Sequence, residues 1–215
     1  MSVKRFTKRK TGKASLLAER ERIESPPLFR LLLTVLILSV YGYFLAFPID
    51  VTNGDIGRHL KNGELFLQRY LIPNTNLYSY TFPDLSFINH HWGSGVLFYA
   101  VERTTGFHGL SLLFIAISLL TLFIFLDLAA KHSSFGLAAP IALCIIPLLI
   151  TRRVIRPELF SYLFSAVCLR LLWSYKYRSL GFRRLLFLPI LMVLWVNLHI
   201  YFFIGLILIA VNFVE

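Results

Sequence analysis

The feature that most constrains this chain is a succession of apolar runs: Leu31 to Phe47, Leu110 to Leu126, Leu137 to Ile150, Leu159 to Trp173, and a long stretch from Leu185 to Val214. A helix that crosses a bilayer needs about 20 largely apolar residues, or somewhat fewer where flanking side chains snorkel. The runs predict an all-α fold, a polytopic transmembrane helical bundle of five or six spans. Composition points the same way, since 57% of the 215 residues are hydrophobic and only 15% are charged, which argues against a soluble globular domain. The net charge of +11 does not indicate a nucleic-acid partner, because nine of the 22 basic residues fall between Lys4 and Arg30. Residues 1–27 read as a solvated basic tail drawn to anionic headgroups, and residues 28–215 as the membrane domain. The first apolar run is too long for a signal-peptide core and reads as a retained anchor. Cys144 and Cys168 lie inside apolar runs and behave as small hydrophobes.

Lys and Arg accumulate in the short loops on the cytoplasmic side, so the basic tail puts the N-terminus inside. Counting forward, Lys131 and His132 fall inside, as do Lys176, Arg178, Arg183 and Arg184. The loop at 49–93 is then outside, together with the short turn "TRRVIRPE". Arg152, Arg153 and Arg156 therefore lie on the side that the charge bias does not explain. They either snorkel to ordinary lipid phosphates or grip one particular phosphate, which guanidinium forks do bidentately. Pro157 and Glu158 suit the first turn of the next helix and keep the connection tight.

The outer loop changes character, with four acidic residues and three histidines. After "NGD", apolar Ile56, Leu60, Leu67 and Leu71 recur at helical spacing up to Pro73, which predicts an amphipathic helix lying on the membrane surface. Asp55 is placed to cap it, and His59 follows at the four-residue spacing that faces the same way. Further on, "NHHWGSG" brings His90, His91 and Trp92 beside flexible glycines, with Trp92 a natural interface anchor. Adjacent histidines diverge, so they make a weak pair of metal ligands. The stretch "VLFYAVERTTGFHG" reads as a second interfacial helix leading into span two. The final run, about 45 Å if it were one helix, exceeds the roughly 30 Å hydrocarbon core, so an interruption is expected near Trp195, Asn197 and His199. A polar pair within such a run is either a helix-to-helix hydrogen bond or part of a functional site.

Taken in order, "GDIGRHLKNGELFL", "PNTNLYSYTF", "NHHWGSGVLFY", "RPELFSYLF" and "LPILMVLWVNLHIYFF" resemble the N-terminal half of bacterial membrane glycosyltransferases of the GT-C superfamily. These are similar to protein O-mannosyltransferases and lipid A aminoarabinose transferases. The resemblance implies a bacterial inner-membrane enzyme of the cell envelope that moves a sugar from a polyprenyl-phosphate carrier to an acceptor on the extracytoplasmic side. It implies Asp55 as the general base or metal ligand near the end of span one. No cofactor is required by the motifs, and a divalent metal is compatible with the resemblance. Members are longer than this chain, so an N-terminal part is expected. The expected roles are Asp55 as base and His59 as its orienting neighbour, with Arg152, Arg153 and Arg156 holding phosphate. Trp92 would stack on sugar, with His91, Asn197 and His199 lining the cavity. The expected partners are the lipid-linked sugar and the bilayer. The alternatives are a lipid-linked anion transporter and a non-enzymatic assembly subunit.

Overall fold

A computed structural model describes residues 25–48, 55–178 and 182–214. The basic tail up to residue 24, the turn residues Asn53 and Gly54 and the loop centre at 179–181 lie outside them. Among the described residues, seven α-helices follow one another: α1 (Pro27–Leu45), α2 (Ile56–Arg69), α3 (Trp92–His132), α4 (Phe135–Leu149), α5 (Glu158–Arg178), α6 (Phe187–Leu198) and α7 (Phe202–Val214). Among the described residues there is no strand, only an isolated bridge between Thr75 and Ser86 in the connection from α2 to α3.

Among the described residues, three helices are long and apolar enough to cross a membrane: Pro27–Leu45, Trp92–His132 and the stretch Phe135–Arg152. Five or six spans are expected from the sequence, and the other apolar runs fall short of this measure in hydropathy or length. Helix α5 has the length, but Arg170, Lys176 and its tyrosines and serines dilute its hydropathy. The last apolar run divides, as its length requires, into two helices of 12 and 13 residues. Each is only about 18–20 Å long, short of a bilayer core.

Helix α3 has 41 residues, about 62 Å if straight. It breaks at Gly106, whose φ of 67° lies where a side chain is disfavoured. Residues 92–105 thus form a separate arm, which overlaps the stretch "VLFYAVERTTGFHG" expected as an interfacial helix, and residues 107–132 are left for the apolar bundle. The bundle has two distinct ends. Arg30, the close of α3 at Lys131 and His132, the start of α4 at Phe135 and the close of α5 at Tyr177 line one cavity. Pro48, the early α3 residues Ser111 and Phe114, and the turn residues Thr151 and Arg153 line another. Helices α1, α3, α4 and α5 therefore alternate in direction. Helix α7 folds back along α6, because Gly205 lies against Met192 and Trp195. A continuous helix would set Met192 and Gly205 about 20 Å apart.

Only the first part of the apolar stripe of α2, Ile56 and Leu60, packs against the rest of the chain. The buried residues of the helix are Ile56, His59, Asn62 and Gly63, while Leu67 is 43% exposed and Leu71 is exposed too. The reason is steric. A Cβ on Gly63 would overlap the carbonyl oxygen of Gly95 and lie 2.7 Å from Cβ of Tyr99. One on Gly95 would lie 2.7 Å from the carbonyl oxygen of His59. The two backbones touch along the face that carries the glycines, whatever the apolar count of the other face. Glycines read as flexible in "GSG" are instead contact points, and Ser94 between them donates to the carbonyl of Leu198 at the end of α6.

Gly63→Ala should accordingly destabilise the purified protein by about 1–3 kcal/mol through overpacking against rigid backbone. Gly57→Ala, where nothing lies within 4 Å of the added methyl, should not. Thermal unfolding in detergent compares the two.

Candidate functional site

The first cluster forms where α2, the 92–105 arm and the α6–α7 turn meet. Asp55 precedes the first residue of α2 but its side chain makes no capping hydrogen bond. Its carboxylate, half exposed, pairs instead with the guanidinium of Arg58 at 3.5 Å. This corrects the expected partnership with His59, which turns inward and is only 3% exposed. Three residues on, rather than four, the helix presents Arg58 to the same side as Asp55. His59 meets Phe98 edge-on at 6.2 Å and His91 at 5.7 Å. Burial, reinforced by Arg58 and then by His91, lowers its pKa to about 3, so it is a neutral imidazole at physiological pH. The same causes lower the pKa of His91, burial first and Arg58 next.

His91 stacks on His199 with centroids 5.1 Å apart, and its buried Nδ1 has no hydrogen-bond partner. His199 is fixed from the other side. Its Nδ1 lies 2.6 Å from Oγ of Ser161, which also accepts from the indole N–H of Trp195 at 2.7 Å. With one lone pair taken by the tryptophan, the serine keeps a proton to donate to Nδ1 of one imidazole tautomer and a second lone pair to accept from Nδ1–H of the other. All three side chains are buried. Asn197 is equally committed: Oδ1 accepts from Trp92 Nε1 at 2.9 Å, and Nδ2 donates to the carbonyl of Val193 at 2.7 Å. Trp92 also contacts the ring of Phe66 at 5.1 Å. The sequence did not single out Ser161. The available sign was a small hydroxyl one turn after Pro157, repeated at Ser165, in a largely apolar helix.

The imidazoles of His59, His91 and His199 face one another as rings, without converging nitrogens. Among the described residues no group of three or more His, Cys, Asp or Glu could hold a metal ion.

The second cluster is the turn from Ile150 to Pro157. A 3₁₀ turn over Ile150–Arg152 opens it, with Thr151 bonded to the carbonyl of Leu148 at 2.7 Å. Arg153 lies over the ring of Phe47 at 4.3 Å. Arg156 has a buried Nε with no partner. Among the described residues, none of Arg152, Arg153 and Arg156 forms an ion pair with a carboxylate. Glu158, the nearest acid in sequence, accepts from Tyr162 at 3.3 Å instead.

Three cavities run from this turn into the bundle. One of about 310 Å³ is bounded by Phe47, Ile56, Phe114 and Arg153, so it reaches the residue that follows Asp55. The next, about 290 Å³, shares Phe114, Thr151 and Val154 with it and adds Arg152, Arg156 and Tyr162. The third, about 160 Å³, shares Tyr41, Ser118 and Tyr162 with the second and ends among Thr121, Leu122 and Phe125. The lining passes from cationic at the turn to almost wholly apolar inside. Tyr41, Ser118 and Tyr162 were not foreseen, because they come from three helices and share no sequence signature.

No family model, no curated protein and no solved structure matches this chain. Its function has to be argued from the arrangement itself.

Between pH 6.5 and about 3 the unfolded chain binds a proton on His59 that the folded one does not, so stability should fall as pH drops through that window. Unfolding midpoints across that range should slope less steeply in His59→Gln than in the parent protein.

Proposed function

We propose that this chain forms the carrier-binding part of a membrane glycosyltransferase of the GT-C kind, acting on a sugar linked to polyprenyl phosphate. The observation that carries this reading is the three-part slot: arginines without carboxylate partners at its mouth, and an apolar extension between α1, α3, α4 and α5. A lipid phosphate has that form, with an anionic head at the bilayer rim and a hydrocarbon tail. A free anion has no use for the apolar extension, whereas the hydrocarbon chain of a carrier lipid fills it. In this reading the slot's mouth, Asp55 and the 92–105 arm lie on the extracytoplasmic side of a bacterial inner membrane, with the N-terminus in the cytoplasm.

Asp55 takes the proton of the acceptor hydroxyl or amine as that group bonds to the sugar C1. The bond from C1 to the phosphate oxygen breaks, its electron pair stays on the oxygen, and Arg153 and Arg156 neutralise the departing lipid monophosphate. Arg58 holds the carboxylate in place, Arg152 supports the phosphate at the rim, and Trp92 offers a ring to the sugar. His59, His91, Asn197 and His199, neutral or fully bonded, set the wall against which these groups are held. A divalent metal would have Asp55 as one ligand, and the described neighbours do not complete a set.

Asp55→Asn should lower transfer from a polyprenyl-phosphate sugar on the order of a hundredfold or more while leaving carrier binding intact. Arg153→Gln with Arg156→Gln should weaken binding of radiolabelled undecaprenyl phosphate to the purified protein in nanodiscs. Unchanged transfer in the Asp55 variant would remove the base assignment, and unchanged binding in the arginine variant would remove the lipid-phosphate reading altogether.

A further inference from the structure

At the opposite end of the bundle, α1, α3, α4 and α5 surround a cavity of about 790 Å³, larger than any of those at the Arg153 turn. One oxygen of Asp127 accepts from both Lys131 and Arg170, which ties two cations, one on α3 and one on α5, to a single carboxylate. Among the described residues, Arg30, Lys131 and Asp127 line this cavity, and Arg170 reaches Asp127 from α5. With three cations and one carboxylate, these four residues together are net positive. One wall is aromatic: His132 meets Trp173 at 5.6 Å and Tyr177 at 5.8 Å, and these two rings lie 5.8 Å apart. The rest is apolar, and Leu31 and Phe123 in its lining are also exposed on the outer surfaces of α1 and α3. The cavity thus opens sideways, toward the surface a bilayer would cover.

We infer that this cavity is a second site, independent of the Asp55 end, and that it takes the phosphate-bearing headgroup of an anionic phospholipid. The positive edge selects anionic over zwitterionic headgroups. Tryptophan and tyrosine rings occupy the depth at which headgroups meet acyl chains. The apolar floor and lateral opening suit a molecule with a tail better than a soluble anion. Asp127 is a positioning residue here: it fixes the directions of Lys131 and Arg170 and leaves each with further N–H donors.

The test is native mass spectrometry of the full chain released from nanodiscs that contain equal phosphatidylglycerol and phosphatidylcholine. The parent protein should retain one phosphatidylglycerol in preference to phosphatidylcholine. Lys131→Gln, which keeps the pair between Asp127 and Arg170, should reduce that retention about fivefold. Lys131→Arg should restore it, and Arg153→Gln at the other end should leave it alone. Circular dichroism and size exclusion identify any variant that fails to fold, and Arg170→Gln supplies a second measurement if Lys131→Gln does. Equal retention of the two lipids by the parent protein would overturn the inference. Displacement of the bound lipid by inorganic phosphate would also overturn it, since the site would then belong to a soluble anion.

Discussion

The contact between Gly63 and Gly95 is the constraint on which the Asp55 end depends. With hydrogen in place of Cβ at both positions, the backbones of α2 and the 92–105 arm meet, and the rotation of α2 about its own axis is fixed by that contact. Everything else on the helix follows. His59 and Asn62 are turned into the interface, where burial keeps the imidazole neutral and Tyr78 donates to the amide oxygen of Asn62. Asp55 and Arg58 are turned outward. The arm is in turn tied to the α6–α7 turn through Ser94 and Trp92, so a single packing unit joins three segments that are far apart in sequence. Leaving a buried polar group unpaired costs about 1–3 kcal/mol, and most of the unit's groups are paired, with the Nδ1 of His91 an exception.

The slot beside this unit has the opposite character. Its mouth is held open by groups that are not mutually satisfied: Arg156 keeps a buried Nε without a partner, and Arg153 is supported by an aromatic face rather than a carboxylate. Guanidinium groups so placed retain their hydrogen-bonding capacity for an anion. The cavity at the Arg30 end differs again, since a carboxylate there holds two of the cations.

Much of this was legible in the chain. Apolar length alone required a break in the last run, and polarity located it at His199, where α6 ends. The stretch "VLFYAVERTTGFHG" reads as an interfacial helix ahead of the apolar part of α3, while the break at Gly106 inside it is visible only in the structure. Alternation of the runs put Asp55 and the arginine turn at one end, which the shared cavity lined by Ile56 and Arg153 also requires. Three things were not legible. Periodicity located an apolar face on α2 but could not reveal that Gly63 on another face, with Gly95 of the arm, would decide the docking face. The reversal between α6 and α7 depends on Gly205 fitting against Trp195, a contact with no pattern in sequence. The network of Ser161, Trp195 and His199 draws on two helices, and neither run alone indicates it.

The claim that matters most is that one lipid phosphate lies with its head at the arginine turn and its tail inside the bundle. A polyprenyl phosphate carrying a photoreactive group on its isoprenoid chain, irradiated with the protein in nanodiscs and mapped by peptide mass spectrometry, reads this directly. Label should concentrate on Ser118, Thr121, Phe125 and Tyr162, and competition by unmodified carrier should remove it. Label spread over the exposed faces of α1 and α7, or gathered beside Trp173, would contradict the account.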